Sequence, residues 1–353
     1  MKKQFLLIAV VALAMASCSQ DEQTDINRGA AIDFRGAMAT RATETKTANL
    51  NDIFVTAIDK NNANFFTDEQ FTKGKDGVFQ STTSYYWPND DSQLNFFAYA
   101  PSSSDLGGTL TITNTTKTLA DFSPQTTIGN QKDFVSCKAT GKKSVNESVG
   151  VALTFKHQLS QIEIKAKNEK DAYVYKVVAA RIGKPVSKGT FDFSTENWQL
   201  GTDKVNYTVP DFAEITLNGT PQSLMGTAGS AMLIPQQLTE WNATGDKSNA
   251  SKGAYLAVKL QITTKAGARV YPAEVVGDYD WVAVPIGTNW EAGKKYVYTL
   301  DFSNGAGKVD PEKTTPSNPK DPFNPTDDIL GNSPIKFTVQ VTEWVEETKN
   351  IGM

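Results

Sequence analysis

The stretch VALTFKHQLSQIEIKAKN at residues 151–168 alternates apolar and polar residues almost without interruption. Leu153, Phe155, His157 and Leu159 share one parity, and Ile162, Ile164 and Ala166 share the other. Successive side chains of a strand point to opposite faces, so a period of two marks half-buried β-structure and excludes an amphipathic helix. The change of parity at Ser160–Gln161 reads as a bulge, since one extra residue transfers every later side chain to the other face. NDIFVTAID (51–59), GVFQSTTSYYW (77–87) and QLNFFAYAP (93–101) also read as strands, and in the last Leu94, Phe96 and Ala98 share a face. Later strands include GTFDF (189–193), AMLIPQQL (231–238), AYLAVKLQITTK (254–265), DWVAVPI (280–286) and KYVYTLDF (295–302). Turn chemistry separates these runs: Asn61–Asn62, Gly74, Pro88–Asn89, and Pro101 followed by serines. No helical period persists. Strands at short spacing favour an all-β fold of packed sandwiches over a parallel α/β sheet. The chain is long enough for two domains, and Gly141, Lys142–Lys143 and Gly150 place their boundary near 150.

The last fifty residues behave differently. Residues 304–334 carry six prolines among Gly, Asn and Asp, a composition expected of an extended linker. The linker leads into IKFTVQVTEWVEE (335–347), where Ile335, Phe337, Val339 and Val341 line one face and Lys336, Thr338, Gln340 and Thr342 the other. A short turn would suffice if this strand merely closed its own sheet, so the long linker suggests that it reaches further.

The first fifty residues carry the other asymmetry. Lys2–Lys3 and the apolar run Phe5–Met15 form a leader of signal-peptide length, too short to span a bilayer. Met15-Ala16-Ser17-Cys18 resembles the bacterial lipoprotein processing site, which predicts a signal peptide over 1–17 and acylation of Cys18. Several acyl chains on one residue anchor firmly where a single chain binds marginally. Cys137, the only other cysteine, then has no disulfide partner. Arg28, Arg35 and Arg41 follow within a short polar stretch.

Signs of catalysis are absent from the pattern. The formal net charge of −4 argues against a nucleic-acid partner. A single histidine, His157, sits at the parity of Phe155 and Leu159 and reads as a buried, hydrogen-bonded imidazole. No phosphate-binding loop occurs, because five residues rather than four separate Gly287 from Gly293. Asp90–Asp91 and Asp327–Asp328 fall in turns. Tyr85, Tyr86 and Trp87 could stack on a sugar ring, but large aromatics in such a run more often pack a core. No catalytic residue, metal ligand or cofactor is assigned, and the chain reads as a non-enzyme.

Taken in order, several segments resemble the fimbrillins, the type V pilus subunits of Bacteroidetes, in their fimbrillin-like branch. They are the leader with Cys18, ATRA (39–42), YYWPNDDSQLNFFAYAP (85–101), LTFKHQLSQIEI (153–164), NWEAGKKYVYTLDF (289–302) and IKFTVQVTEW (335–344). The acidic SQDEQ after Cys18 resembles the surface-export signal of Bacteroidetes lipoproteins. The resemblance implies two tandem transthyretin-like β-sandwich domains over 42–150 and 151–353, preceded by a tether and propeptide strand over 18–41 that maturation removes. It implies export to the outer membrane as a lipoprotein and cleavage by an Arg-specific or trypsin-like protease. The match places that cut between Arg41 and Ala42; cuts at Arg28 or Arg35 would leave part of the strand behind. Polymerisation follows when a strand of a neighbouring pilin subunit fills the vacated groove, giving a cell-surface fimbrium that supports adhesion.

The residues offer an internal check. AIDFRGAM sets Ile32, Phe34, Gly36 and Met38 on one parity, and the terminal strand sets Ile335, Phe337, Val339 and Val341 on one parity. Two segments beginning Ile-x-Phe can compete for one groove, because pockets for alternate side chains give strand addition its specificity. Glycine adds no side chain, so the pocket at Gly36 is expected to be empty in the precursor and filled by Val339 in the polymer. The alternative reading is a surface lipoprotein that keeps its anchor and binds glycans through exposed aromatics.

Overall fold

Alternation in the sequence becomes strands in the computed structural model, which describes residues 29–38, 50–242, 253–313, 320–331 and 335–344. In the first half these are β1 (Phe34–Met38), β2 (Asp52–Ile58), β3 (Asn64–Lys73), β4 (Val78–Gln80), β5 (Leu94–Ala100), β6 (Thr109–Ile112), β7 (Lys117–Phe122), β8 (Val135–Gly141) and β9 (Val151–His157). Seven of them close into a barrel in the order β1-β4-β3-β2-β5-β8-β9. Its interior takes the parity anticipated from sequence: Leu94, Phe96 and Ala98 of β5 meet Ile53 and Val55 of β2 and Leu153 and Phe155 of β9. The other face of β5 is buried too. Phe97 and Tyr99 pack under a four-stranded sheet, which explains why this strand reads as a near-continuous apolar run. Of the stretch 77–87 only Val78–Gln80 is regular strand. Trp87 turns into the barrel core, and Tyr85 lies on the Phe66 ring with centroids 4.6 Å apart.

The second half contains β10 (Ser160–Lys167), β11 (Tyr173–Gly183), β12 (Gly189–Asp192), β13 (Asn197–Leu200), β14 (Tyr207–Thr208), β15 (Ile215–Thr216), β16 (Gln222–Ser223) and β17 (Ala231–Leu233). It continues with β18 (Tyr255–Thr264), β19 (Arg269–Tyr271), β20 (Asp280–Pro285), β21 (Lys294–Asp301), β22 (Lys308–Val309) and β23 (Lys336–Glu343). A sheet ordered β16-β10-β21-β23 faces one ordered β14-β11-β18-β20-β22. Ile162, Ile164, Tyr298 and Leu300 of the first meet Leu256, Val258 and Leu260 of the second. In β11 the register shifts between Val177 and Ala179, so Tyr175 and Val177 on one side and Ala180 and Ile182 on the other all reach the core. The halves share the sheet β13-β12-β7-β6, one hairpin from each.

Two expectations need correction. The parity change at Ser160–Gln161 is no bulge. Val151–His157 belongs to the barrel and Ser160–Lys167 to the second sheet, so the inward face changes because the core changes. The passage between the two bodies therefore lies at 158–159, and the break near 150 is only the turn into β9. The Pro-rich segment is also not a free linker over its described residues. Lys308 and Val309 pair with β20, the Thr326 and Ile329 amides donate to Val309 and Gly307, and Ala306, Val309 and Ile329 are buried. Its charges are paired, mostly with distant residues: Asp310 with Arg181, Glu312 with Lys184, and Lys313 with Asp280 at 2.8 Å and, within the segment, Asp321 at 2.9 Å.

Candidate functional site: the seat of the first strand

The first strand is held on two sides. β1 runs parallel to β9 from Phe34↔Val151 to Met38↔Phe155, and antiparallel to β4 at Phe34↔Phe79 and Arg35↔Val78. Just before it, the Ile32 amide donates to Tyr85 O at 2.7 Å and the Val151 amide donates to Asp33 O at 3.0 Å. Phe34 is 0 % exposed and meets Phe71 and Phe96 edge-on, at centroid distances of 4.8 and 5.1 Å. Ile32 is buried with it, and Met38 packs partly buried against the same cluster. The outward residues stay near water: Arg35 is exposed, and its Nε donates to Val149 O at 2.6 Å. Asp33 is half-buried, and that burial raises its carboxyl above the usual range; Arg35 pulls it back and Asp76 adds to the rise. Gly150, at φ +73°, makes room for this carboxylate, because a Cβ there would stand 2.4 Å from Asp33 Oδ1.

β1 is thus held by backbone pairing on two sides and by pockets for alternate side chains, the features that strand addition uses. The pocket expected to be empty at Gly36 is not. A Cβ at Gly36 would meet Phe79 Cε2 at 2.9 Å, with Leu50 behind, so the Phe79 ring already fills that space. This is a correction to the expectation that Val339 would gain a vacant pocket.

The terminal strand lies elsewhere on its own chain. β23 pairs with β21 from Asp301↔Lys336 to Lys294↔Glu343 and forms the edge of its sheet. Of the four residues assigned to its apolar face, Ile335 is buried, Phe337 and Val339 are partly buried, and Val341 is 51 % exposed. Trp344 at its end is 1 % exposed and stacks on His157 at 4.1 Å with an interplanar angle of 17°. His157 is buried, as its parity predicts, and its Nδ1 lies 2.8 Å from Asp133 Oδ2. Sequence reasoning missed Trp344, Asp133 and Phe79. Only Trp344 carried a local signal, as a large aromatic closing an otherwise polar strand end. Cys18, Arg41 and Ala42 lie outside the described residues. Cys137 is a free thiol in the barrel, and burial pushes it far above its ordinary value.

Fold and seat together define a class: an all-β protein whose barrel is completed by the N-terminal tail and whose C-terminal strand lies on a sheet edge. Within that class the chain belongs to the fimbrillin-like family, whose model matches residues 40–319, between β1 and β23. It is 26% identical over 367 aligned positions to the fimbrium subunit Fim1C of Phocaeicola vulgatus, covering 88% of this chain and 94% of that one. Among solved structures it resembles a fimbrial protein from Bacteroides vulgatus, with a TM-score of 0.57 at 17% identity over 89% of this chain and 99% of the other. It also resembles a protein from Bacteroides uniformis named for cell adhesion, with a TM-score of 0.50 at 16% identity over 91% and 99% of the two chains. At such identities the structural likeness speaks for the fold.

Proposed function

We propose that this protein is a structural subunit of a cell-surface fimbrium that polymerises by strand exchange and has no catalytic role. In this reading Cys18 is acylated and holds the precursor on the outer membrane. An Arg-specific or trypsin-like protease then cuts between Arg41 and Ala42. Release of β1 opens the barrel seat, and the terminal strand of another pilin subunit enters it with Ile335, Phe337, Val339 and Val341 inward. The assembled fimbrium supports adhesion.

One observation carries the reading: a segment N-terminal to Arg41 supplies an internal strand of the barrel, with Phe34 at its centre. A terminal strand held on an edge, with most of its residues exposed, suits a donor. The alternative of an anchored glycan binder loses support, because Trp87 is buried in the barrel core and Tyr85 packs against it.

The test is the N-terminal residue of protein recovered from the cell surface. Ala42 is expected. Arg41→Ala should leave an anchored monomer; polymers of normal length from that variant would overturn the assignment. Cys18→Ala should abolish surface display.

A further inference from the structure

We infer that Trp344 is a latch: it keeps the terminal strand on its own subunit while β1 is in place, and removal of β1 releases it. The inference rests on the strand-exchange reading and adds its regulation, so that only a processed subunit becomes a donor.

The first step is that β23 is held on one side only. It has one neighbour, β21, and from Gln340 to Glu343 every residue is exposed. Full side-chain burial is confined to the residues that flank it. Ile335 is buried at one end. At the other, the Trp344 amide donates to Gly293 O at 2.8 Å, and its indole enters the cluster of Phe134, Leu159 and Phe191 between the halves of the molecule. Glu343 pairs with Lys294 beside it. An edge strand anchored at two points opens when either anchor fails, because its exposed backbone hydrogen bonds contribute little local stability.

The second step is that the Trp344 platform belongs to the strand that β1 secures. His157 is the last residue of β9. Residues Val151–Phe155 of β9 are in register with β1, whereas only His157 and Lys156 are in register with β8, opposite Val135 and Ser136. Take β1 away and the strand that carries His157 keeps two residue pairs. The imidazole then has Asp133, the first residues of β8 and the adjoining Gln158, which is bonded to Phe134 and Trp198, to hold it. Fraying of β9 toward His157 removes the flat surface on which Trp344 rests. The two strand-exchange elements are thus joined through one strand, with β9 as the element that both sites bias.

Hydrogen exchange followed by mass spectrometry tests this. The samples are the precursor from residue 19 and the processed chain from Ala42, each dilute enough to stay monomeric. Amides of 336–343 should exchange at least tenfold faster in the processed chain. Adding a synthetic peptide of residues 29–40 should restore slow exchange. In the precursor, Trp344→Ala should give fast exchange at 336–343 while Tyr255–Thr264, in the middle of its sheet, stays protected. Equal protection of 336–343 with and without β1, or a Trp344→Ala precursor that stays protected there, would overturn the latch. If the chain from Ala42 also loses protection over Tyr255–Thr264, it has unfolded, and the precursor carrying Phe34→Ala takes its place under the same criteria. Processed chains that form ladders without faster exchange at 336–343 would sink the latch and leave strand exchange standing. Released strands that never assemble would do the reverse.

Discussion

An Ile-x-Phe pattern leads into both β1 and β23, yet one is an internal strand of a closed barrel and the other lies on the rim of a sheet. Phe34 is enclosed by Phe71 and Phe96, whereas Phe337 touches one ring, Tyr298, at 6.1 Å. Binary pattern alone does not set this difference. A strand with two neighbours and a sheet across from its inner face buries that face, and an edge strand leaves part of it in water. On the strand-exchange reading proposed above, the asymmetry has a direction. The piece to be cut away is the one whose loss would expose the barrel core. The piece to travel is an edge strand with one neighbour.

The largest expected effect is at Phe34. Phe34→Ala in the precursor should cost the barrel about 3–5 kcal/mol, the usual range for emptying a buried aromatic site. Phe337→Ala should cost the C-terminal sandwich only about 1 kcal/mol, since a half-buried ring gains a fraction of full burial. Denaturant unfolding of the two variants, with the barrel and the sandwich followed separately, checks both. Equal losses would break the comparison.

A next effect concerns what holds the segment before β23. Asp310 is buried and paired with Arg181, whose guanidinium lies 4.6 Å from the Trp281 ring. Asp310→Ala leaves that guanidinium without its buried partner, a change that typically costs about 3 kcal/mol or more; Glu312, 3.8 Å away, should reduce this to about 2 kcal/mol. The loss should fall on the sandwich and leave the barrel transition unmoved. A shift of the barrel transition would show that the two bodies unfold together.

Gly36→Val sharpens the comparison at its most specific point. The added side chain meets Phe79 and should destabilise the precursor by about 1–3 kcal/mol, as overpacking does. Phe79→Ala in the same chain should return part of that loss. The same geometry applies to a donor set in the β1 register. If Phe337 takes the place of Phe34, Val339 arrives where Gly36 stands, and Phe79 must turn aside. Val339→Gly should then be tolerated in polymerisation, and complete loss of assembly would show that the donor enters in another register.

Much of the fold was legible because it is written locally. β2, β5, β9, β10, β18, β21 and β23 all show in the period of two, and the pairing of Ile32 with Phe34 on one inner face was readable before any coordinates. What was not legible depends on partners far away in sequence. The charges of 310–313 give no local sign of their partners, because Arg181, Lys184 and Asp280 are remote from them in the chain. Phe79 gives no sign that its ring lies over Gly36, since the two come together only when the barrel closes. The step from β9 to β10 looked like a bulge because a bulge and a change of core flip the same parity. For Cys18 and Arg41 the sequence remains the whole argument, as both fall outside the described residues.

The smallest effect is at Asp33, and it tests whether the outer face of β1 opposes its own seating. Burial raises the Asp33 carboxyl, more than Arg35 can offset, so seating the strand makes its ionised form costlier than in water. The folded-state value lies above the unfolded value of 3.8, so the folded chain binds the proton more tightly. Stability therefore falls as pH rises through the folded value, and the ionised carboxylate is a standing penalty at neutral pH. Asp33→Asn removes the charge and keeps the backbone carbonyl that receives the Val151 amide. It should raise the barrel's melting temperature slightly at pH 7, and the gain should vanish once pH falls well below 3.8, where aspartate is protonated in both states. A gain of the same size at both pH values would mean that the carboxylate's charge is not what resists seating. A loss at pH 7 would mean that its attraction to Arg35 outweighs its desolvation, and that β1 is held in the barrel by its outer face as well as its inner one.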